Sequence, residues 1–463
     1  MKVLHVPYGF YPEAVGGTEV YVEALSRELQ SQGVETIIAA PGDANTAYDY
    51  HGIPVRRYKV QPPQDLRDLY SEGDPETARS FGAILSREKP DIVHLHALSG
   101  GASLGAVRAA KAYDSKAIFT YHTPTVTCQR GTMMKWGVES CQGIMDLHTC
   151  SRCTLQGLLR PTFHARAAKS LAHVVGSMSP GVGSLLGWLN LRGGAWTALR
   201  MTELLRLRHQ TVTSLFAEVD QVVAVCEWVQ DVLLHNGVTR DKITLCRQGV
   251  YETALQNGSD SKYVKRNSCL TVTFLGRFDR TKGIDILIHA MRRIPDARLQ
   301  LHIYGMAQGE FGREYERSLR TLTGSDNRIE FHAPVPVSQV ASILRQCDVL
   351  AVPSQWLETG PLVVLEAFAA KVPVLGSRLG GITELVRDGF DGILVDPSNI
   401  DEWAATLKRL TQDPSLVERL RTNVRVPRTM ANVAEDMLKI YNNARDVRSV
   451  YKPCRLSPVT AQL

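Results

Sequence analysis

Several features that would define other classes of protein are absent from this chain of 463 residues. No stretch makes a convincing membrane span, since the nearest candidate, residues 170–191, is interrupted by Pro180 and by four glycines. The apolar run at residues 3–6 is too short for a signal-peptide core, which predicts a cytoplasmic protein. The glycine-rich turns carry neither the G-x-G-x-x-G pattern nor the Walker lysine motif, which disfavours dehydrogenases and nucleoside triphosphatases.

The overall composition is that of an ordinary globular protein. The net charge of +6 is modest for the length and does not indicate a nucleic-acid partner. Apolar residues make up 44% of the chain and charged residues 22%, as in soluble domains. A chain of this length exceeds what one hydrophobic core supports, which predicts two domains of about 200 residues. Nine cysteines in a cytoplasmic protein are expected to be reduced or metal-bound.

Strand and helix signals alternate twice along the chain, with a polar stretch between the two series. This alternation predicts an α/β fold of two Rossmann-like domains, each with a mostly parallel sheet, facing each other across a cleft. The expected parts are a first domain at 1–250 with an insertion at about 126–216, a linker at 251–268, a second domain at 269–428, and a return helix and tail at 429–463 that pack on the first domain. In such folds, ligands bind at the carboxyl ends of the strands.

The segment 353–384 carries the strongest chemical signal. A buried strand ends just before it, and a turn containing Gly360 leads into a helix from about Leu362. The free N–H groups and the dipole at a helix start favour an anion. Two glutamates, Glu358 and Glu366, flank this site and would accept hydrogen bonds from hydroxyls, so the pattern predicts a ligand with a phosphate part and a sugar part.

A second turn carries two cations. Arg277 follows a predicted strand and Lys282 lies five residues further on, at the start of the next helix. An Arg–Lys pair at the edge of a sheet can hold a diphosphate and stabilise it as a leaving group. The alternative is a pair of solvated turn cations, and the spacing alone does not decide between the two.

Together, these segments closely resemble the retaining glycosyltransferases of family four, which have the GT-B fold. The resemblance rests on FLGRFDRTKGIDILIHA at 274–290 and PSQWLETGPLVVLEAFAAKVPVLGSRLGGITELV at 353–386, and also on YPEAVGGTE at 11–19. It runs nearly continuously over 1–125 and 220–446. It implies a metal-independent hexosyltransferase that moves a sugar from a nucleotide-sugar to an acceptor hydroxyl in polysaccharide, glycolipid or glycoconjugate synthesis, with retention of configuration.

The resemblance also implies roles for particular residues. Arg277 and Lys282 would bind the donor diphosphate, and Glu358 would bind the sugar hydroxyls. Glu366 would accept hydrogen bonds from the ribose. His122 would sit over the sugar, although a histidine that caps a strand end is the alternative. Gly16 and Gly17 of the first-domain turn would allow the backbone to approach the phosphates closely. The backbone before and within the helix would contact sugar and phosphate, at Gly360, Pro361, Leu362 and Val363.

Two positions depart from the family pattern. Lys371 stands where the helix after Glu366 usually ends in glycine, and a lysine there with positive φ would cost on the order of 1 kcal/mol. Residues 332–335 lack a glycine that is often present, which leaves UDP-, GDP- and ADP-sugars open as donors. A saccharide, a lipid-linked sugar and a small molecule are all open as acceptors. A sugar-nucleotide epimerase or hydrolase, or a non-catalytic subunit that binds nucleotide-sugars, are the alternative functions.

Four cysteines fall within 26 residues of the insertion: Cys128, Cys141, Cys150 and Cys153. The C-x-x-C pair has the spacing of half a zinc knuckle, and the other two cysteines could complete a tetrahedral structural site. Reduced thiols or a redox-labile pair are the alternatives.

Residues 161–216 combine six Lys/Arg with one acidic residue and with apolar residues at helical spacing, and they include Trp188 and Trp196. This pattern is consistent with a peripheral contact at the inner face of a membrane. It is also typical of an amphipathic helix that covers the first domain, with a hydrophobic loop at the acceptor cleft, and we favour this second interpretation because such stripes usually face a core.

Overall fold

The computed structural model describes residues 1–13, 16–63, 65–159, 165–189, 193–251 and 269–446. Most of the predicted linker, 252–268, and the end of the predicted tail, 447–463, lie outside these residues. Within them, two sheets organise the chain into two α/β units, which confirms the predicted fold class.

Eight strands form the first sheet, in the order β10-β9-β6-β5-β1-β2-β4-β3, and a two-stranded ribbon, β7-β8, lies in the insertion. All neighbours in the large sheet are parallel except β3 and β4, which form an antiparallel pair at one edge. The strands are β1 Lys2–Val6, β2 Glu35–Gly42, β3 Thr46–Tyr50, β4 Ile53–Lys59, β5 Ile92–Leu95, β6 Lys116–Tyr121, β7 Met134–Lys135, β8 Glu139–Ser140, β9 Gln221–Ala224 and β10 Ile243–Leu245.

The second sheet has six strands, all parallel, in the order β13-β12-β11-β14-β15-β16. Its central strands are apolar runs buried on both faces, as parallel strands covered by helices usually are. The strands are β11 Leu270–Arg277, β12 Leu299–Met306, β13 Ile329–His332, β14 Val349–Val352, β15 Val374–Ser377 and β16 Gly392–Val395.

Helices cover both faces of the two sheets. Those of the first unit are α1 Gly17–Ser31, α2 Leu66–Tyr70, α3 Pro75–Glu88, α4 Leu104–Ala112, α5 Leu147–Leu159, α6 Ala165–Val175, α7 Pro180–Trp188, α8 Gly194–Glu218 and α9 Glu227–His235. Those that follow are α10 Ile284–Arg292, α11 Gly309–Thr323, α12 Val337–Leu344, α13 Leu362–Ala369, α14 Gly380–Leu385, α15 Ile400–Gln412, α16 Pro414–Thr422 and α17 Met430–Asp446. Lys371 lies two residues after α13 and has φ +59°. This positive φ is the one expected at a position where such a helix usually ends in glycine.

The last helix, α17, returns to the first unit. Its apolar face, which includes Val433 and Met437, is buried against α1 and the first sheet. The Tyr441 hydroxyl lies 2.8 Å from Nδ1 of His94, which is in β5. The predicted packing of the C-terminal helix on the first domain is therefore confirmed.

The insertion is mainly helical. The apolar stripe of α8, which includes Leu204, Val212 and Leu215, is buried, as expected for a helix that covers the first unit. The shorter α7 differs, because Leu185 and Trp188 are exposed. No helix among the described residues has the length and apolarity needed to cross a membrane.

Candidate active site

The turn between β11 and α10 holds a lysine against a carboxylate from another part of the chain. Lys282 ends a short 3₁₀ turn, and Gly283 follows it with φ +66°. A Cβ on Gly283 would lie 2.0 Å from the Pro353 carbonyl oxygen, so only glycine allows this turn to pack on the loop after β14. That packing brings Lys282 Nζ to 2.6 Å from Glu358 Oε1, across 76 positions of sequence.

Glu358 is buried and fully engaged. Its Oε1 accepts hydrogen bonds from Lys282 and from the Ser354 hydroxyl, the latter at 2.8 Å. Its backbone oxygen accepts from the Gly381 amide and from the Trp228 indole, which belongs to α9 of the first unit. Lys282 Nζ also lies 5.1 Å from the centre of the Trp356 ring. The carboxylate and the ammonium are therefore held in fixed positions at the carboxyl edge of the second sheet.

The start of α13 lies beside this pair. Gly360 has φ +147°, a conformation that favours glycine, and α13 begins two residues later at Leu362. A Cβ on Gly17, at the start of α1, would come within 3.8 Å of the Leu362 side chain. The first residue of α1 therefore lies close to the first residue of α13, and the N-terminus of each helix favours negative charge beside it.

The two units also hydrogen-bond to each other at the cleft. The Thr359 hydroxyl donates to the His122 carbonyl at 2.6 Å. The Glu384 carboxylate accepts from the amides of Glu227 and Trp228 at the start of α9, at 2.8 and 3.0 Å. These contacts join the first unit to the loop 353–361 and to α14 of the second unit.

Glu366 points out of an otherwise apolar helix, α13. Its side chain is partly enclosed, and burial raises the pKa of its carboxyl to about 7. A negative charge on the Glu366 carboxyl is costly without a partner. A ligand whose hydroxyls donate hydrogen bonds to this carboxyl would therefore favour its ionised form.

Arg277 is placed differently from Lys282. It is exposed at the end of β11, and it donates to Gln308 Oε1 at 3.2 Å. Arg277 is the last residue of β11, whereas the sequence predicted that it follows the strand, and only Lys282 contacts a carboxylate of the candidate site within the described residues.

His122 belongs to a chain of buried imidazoles. Its Nε2 lies 3.0 Å from His96 Nδ1, and His96 Nε2 lies 3.0 Å from His5 Nδ1. Burial lowers the pKa of both His5 and His122 to about 3, so the rings are neutral. Three neutral rings share three N–H groups, and the two end nitrogens, His5 Nε2 and His122 Nδ1, have no partner in the described structure.

Each of the two bonds uses one N–H, so the third N–H lies on one end nitrogen and a lone pair lies on the other. The direction of the chain therefore depends on which end finds a donor or an acceptor. The contact with His96 gives His122 a structural role whether or not it contacts a ligand.

The sequence did not reveal this chain of histidines. His5 and His94 are adjacent in the register of β1 and β5, and His96 follows β5 on the same face as His94. The alternation in residues 92–96 indicates that His94 and His96 lie on one face of the sheet. Only the pairing of strands brings His5 and His122 to that face.

The four cysteines of the insertion lie near one another, but no three of their sulfur atoms are among the groups of described ligand atoms within 4.8 Å of each other. Burial and the three neighbouring thiols raise the pKa of Cys150 to about 12. Cys141 and Cys153 accept hydrogen bonds from the amides of Gly143 and Trp136. Two groups of described residues have three ligand atoms within 4.8 Å of one another, His5–His94–His96 and His302–Glu330–His332, and neither contains a cysteine. A zinc site at Cys128, Cys141, Cys150 and Cys153 stays a prediction.

Comparisons with known proteins agree with this architecture. Residues 259–426 match the model for glycosyl transferases group 1, and residues 15–144 match the model for glycosyltransferase family 4. The chain is 31% identical over 205 residues to the D-inositol 3-phosphate glycosyltransferase of Corynebacterium aurimucosum. The aligned segment covers 42% of this chain and 48% of the relative. The chain thus spans about half the length of that curated relative.

Two solved structures are similar over nearly their whole length. Sucrose-phosphate synthase from Thermosynechococcus elongatus has a TM-score of 0.65 at 18% identity, covering 96% of this chain and 99% of the other. Anabaena HepE in complex with UDP-glucose has a TM-score of 0.62 at 16% identity, covering 96% and 100%. The fold of this protein is of the GT-B type, in which two Rossmann-like units meet at a cleft. The two family models match separate parts of the chain, residues 15–144 and residues 259–426, and together they support a glycosyltransferase of the family-four type.

Proposed function

We propose that this protein transfers a sugar from a nucleotide-diphosphate sugar to an acceptor hydroxyl, with retention of configuration. One observation carries the proposal: Lys282 and Glu358 are locked together at 2.6 Å beside the start of α13, opposite the glycine turn of the first unit. A cation, a helix N-terminus and a carboxylate in one gap match the three parts of a sugar diphosphate: two anionic phosphates and a hydroxyl-bearing ring.

The roles follow from the chemistry of these groups. Lys282, helped by Arg277, would neutralise the diphosphate as it leaves, and the N-terminus of α13 would contribute its dipole. Glu358 would exchange part of its contact with Lys282 for hydrogen bonds from the sugar hydroxyls, and Glu366 would accept from the ribose. His122 would face the sugar from the first unit.

Retention would follow from departure and attack on the same face of the sugar. In this scheme the leaving diphosphate takes the acceptor proton, through an oxocarbenium-like transition state. We expect no divalent metal to be needed, because the two cations can supply the electrostatic stabilisation. Activity that is lost in a chelator and restored by Mg²⁺ or Mn²⁺ would contradict this part of the proposal.

The donor is tested by thermal denaturation with UDP-, GDP- and ADP-sugars. A ligand present at 100 times its dissociation constant should raise the free energy of unfolding by about 2.7 kcal/mol. A structural neighbour binds UDP-glucose, which makes UDP-glucose the first probe. If no nucleotide-sugar raises the melting temperature, the proposed function is wrong. If a donor is turned over without any acceptor, hydrolysis or epimerisation replaces transfer.

We further propose that the outer face of α7 touches a membrane surface. Trp188 is 80% exposed, and Leu185 and Leu189, its neighbours along the chain, are also exposed. Large apolar side chains exposed together are uncommon on a protein surface without a partner. An amphipathic aromatic such as tryptophan is suited to the interface between lipid headgroups and chains.

A further inference from the structure

Two histidines and a glutamate meet on the outermost pair of strands in the second sheet. β13 is an edge strand, and among the described strands it pairs with β12 alone. His302 in β12 lies opposite Glu330 in β13, and Tyr304 lies opposite His332 two residues further along. Because side chains two residues apart in a strand point to the same side, these four side chains share one face of the sheet.

The three groups that could bind a metal converge on one point. His302 Nδ1 lies 2.9 Å from His332 Nε2, and Glu330 Oε2 lies 3.5 Å from the first of these atoms and 3.6 Å from the second. In a tetrahedral zinc site with bonds of about 2.0–2.1 Å, neighbouring ligand atoms are about 3.3–3.4 Å apart. The triangle of ligand atoms therefore has nearly the size of one face of such a site, and small shifts of the side chains would let all three bond one ion.

The sheet holds the ligands in position and leaves them accessible. The strand register fixes His302 against Glu330, and the Tyr304 ring stacks on His332 with ring centres 4.4 Å apart and planes 14° apart. Both histidines are only half-buried, and the Glu330 side chain is 47% exposed. An ion from solvent can therefore reach a set of ligands that is already assembled.

We propose that His302, Glu330 and His332 bind a zinc ion, with water in the fourth position. Two imidazole nitrogens and one carboxylate oxygen form a ligand set that zinc takes in proteins. Magnesium and calcium prefer sets made only of oxygen, so this site selects against them. The same contacts would also suit a hydrogen-bonded pair of histidines without an ion, and the test has to separate these two states.

The ion would join the edge strand β13 to β12 and would lie apart from the groups proposed to hold the donor. Neighbouring strands are about 4.8 Å apart, and Glu358 follows β14, which lies two strands beyond β12, so the two sites are separated by on the order of 10 Å across the sheet. The zinc would therefore stabilise the second unit and take no part in the departure of the diphosphate. The inference does not depend on the proposed transfer.

The test counts the zinc bound by the full chain after equilibrium dialysis at micromolar free Zn²⁺. The double variant His302→Ala with His332→Ala should bind one equivalent fewer than the wild type. Zinc held by the cysteines of the insertion would be equal in both proteins, so the difference reports on this site alone. Equal zinc content in the two proteins would overturn the inference.

Titration calorimetry with Glu330→Gln gives a second measurement at a half-exposed side chain. The dissociation constant for Zn²⁺ should rise at least tenfold, since even the loss of an outer partner of a metal ligand typically costs that much. If the double histidine variant does not fold, this variant decides the question, because an unchanged dissociation constant would overturn the inference.

His289→Gln is the matched control, at a half-buried histidine on α10 of the same unit and outside the group. Zn²⁺ should raise the melting temperature of this control and of the wild type more than that of the double variant, because an ion that binds the folded chain stabilises it. Mg²⁺ at the same concentration should produce no such difference. A loss of zinc in His289→Gln equal to that in the double variant would mean that the group is not the site.

Discussion

The carboxyl edges of the two sheets carry different charged residues. On the second unit, Arg277 and Lys282 lie at the carboxyl edge of the sheet. On the first unit, the described residues that line a cleft at the equivalent edge include Asp43, Asp68 and Asp74 and no lysine or arginine. Two similar sheets therefore differ in the charges that follow their strands.

The two units also differ on their outer surfaces. The insertion of the first unit exposes Leu185 and Trp188, which lie one turn apart on α7. In the second unit, the exposed aromatic residues Phe311 and Phe390 lie in separate parts of the chain. If the proposed function is correct, the exposed face of α7 belongs to the unit on the acceptor side.

The largest effect is expected from Lys282→Gln, which tests the cationic side. Loss of the ammonium removes the charge that would stabilise the leaving diphosphate, and we expect kcat/KM for the donor to fall by about 100- to 1000-fold. Steady-state kinetics measure this, with thermal denaturation as a check on folding.

Arg280→Gln is the matched control for this change. Arg280 belongs to the same turn but stacks on Tyr315, 5.3 Å from the ring centre. We expect its kcat/KM to stay within about threefold of wild type, as for a solvated surface cation. Equal losses in both variants would mean that Lys282 has no special role.

A smaller effect is expected from Gly17→Ala, which narrows the gap between the two units. The new methyl would meet only Leu362, at 3.8 Å, so the fold should tolerate it and gain up to about 1 kcal/mol from the lost freedom of the unfolded chain. Donor phosphates in the gap would be crowded, at a cost of about 1–3 kcal/mol, so the dissociation constant should rise roughly tenfold. Calorimetric titration with the donor measures it.

Gly194→Ala provides the control, because Gly194 is also the first residue of a helix and a Cβ there would meet no atom within 4 Å. It should gain similar stability and bind the donor like wild type. Unchanged donor binding in Gly17→Ala would show that the donor does not pass between Gly17 and α13.

Glu366 makes the donor side sensitive to pH. Its pKa in the folded protein is about 7, against 4.5 for an ordinary glutamate, so between these values the folded state holds more protons than the unfolded state. The free energy of unfolding should therefore fall as pH rises through this window, by on the order of 2 kcal/mol, and level off above pH 7. Denaturant titrations at several pH values should show this fall in the wild type and not in Glu366→Gln.

The same group should give donor binding the opposite trend. If the carboxylate accepts from the ribose, binding requires the proton to leave, and affinity for UDP should rise several-fold from pH 6 to pH 8. Glu366→Gln should flatten this rise. A wild-type affinity that falls over this range would exclude Glu366 as an acceptor of ribose hydroxyls.

The smallest effect is expected on the outer surface. Leu185→Ser with Trp188→Ser should lower the fraction of protein that sediments with phosphatidylcholine–phosphatidylglycerol vesicles several-fold, because each change removes apolar area that lipid would cover. Phe311→Ser, at a residue that is 88% exposed on the second unit, should leave sedimentation unchanged. Wild-type protein that does not sediment, or an equal loss in the control, would contradict the membrane contact.

Most regular elements could be predicted from local patterns. Apolar periodicity and helix caps are encoded in neighbouring residues, and they mark helices such as α3 and α9 and strands such as β6 and β13. The edge strand β3, at Thr46–Tyr50, lacks such a signal. Its residues are mostly exposed and polar, and it forms by antiparallel pairing with β4, which local pattern does not report.

By itself, the sequence determined the two alternating series of strands and helices, the family, and the residue types of the donor side. Those residues lie within short segments, where spacing along the chain fixes spacing in space. Only the tertiary structure decided that Lys282 pairs with Glu358, that His5, His96 and His122 form a chain, and that Asp43 lines the same cleft as Asp68 and Asp74. These groups come from strands and loops far apart in sequence. Strand order and register, set by long-range packing, bring them together.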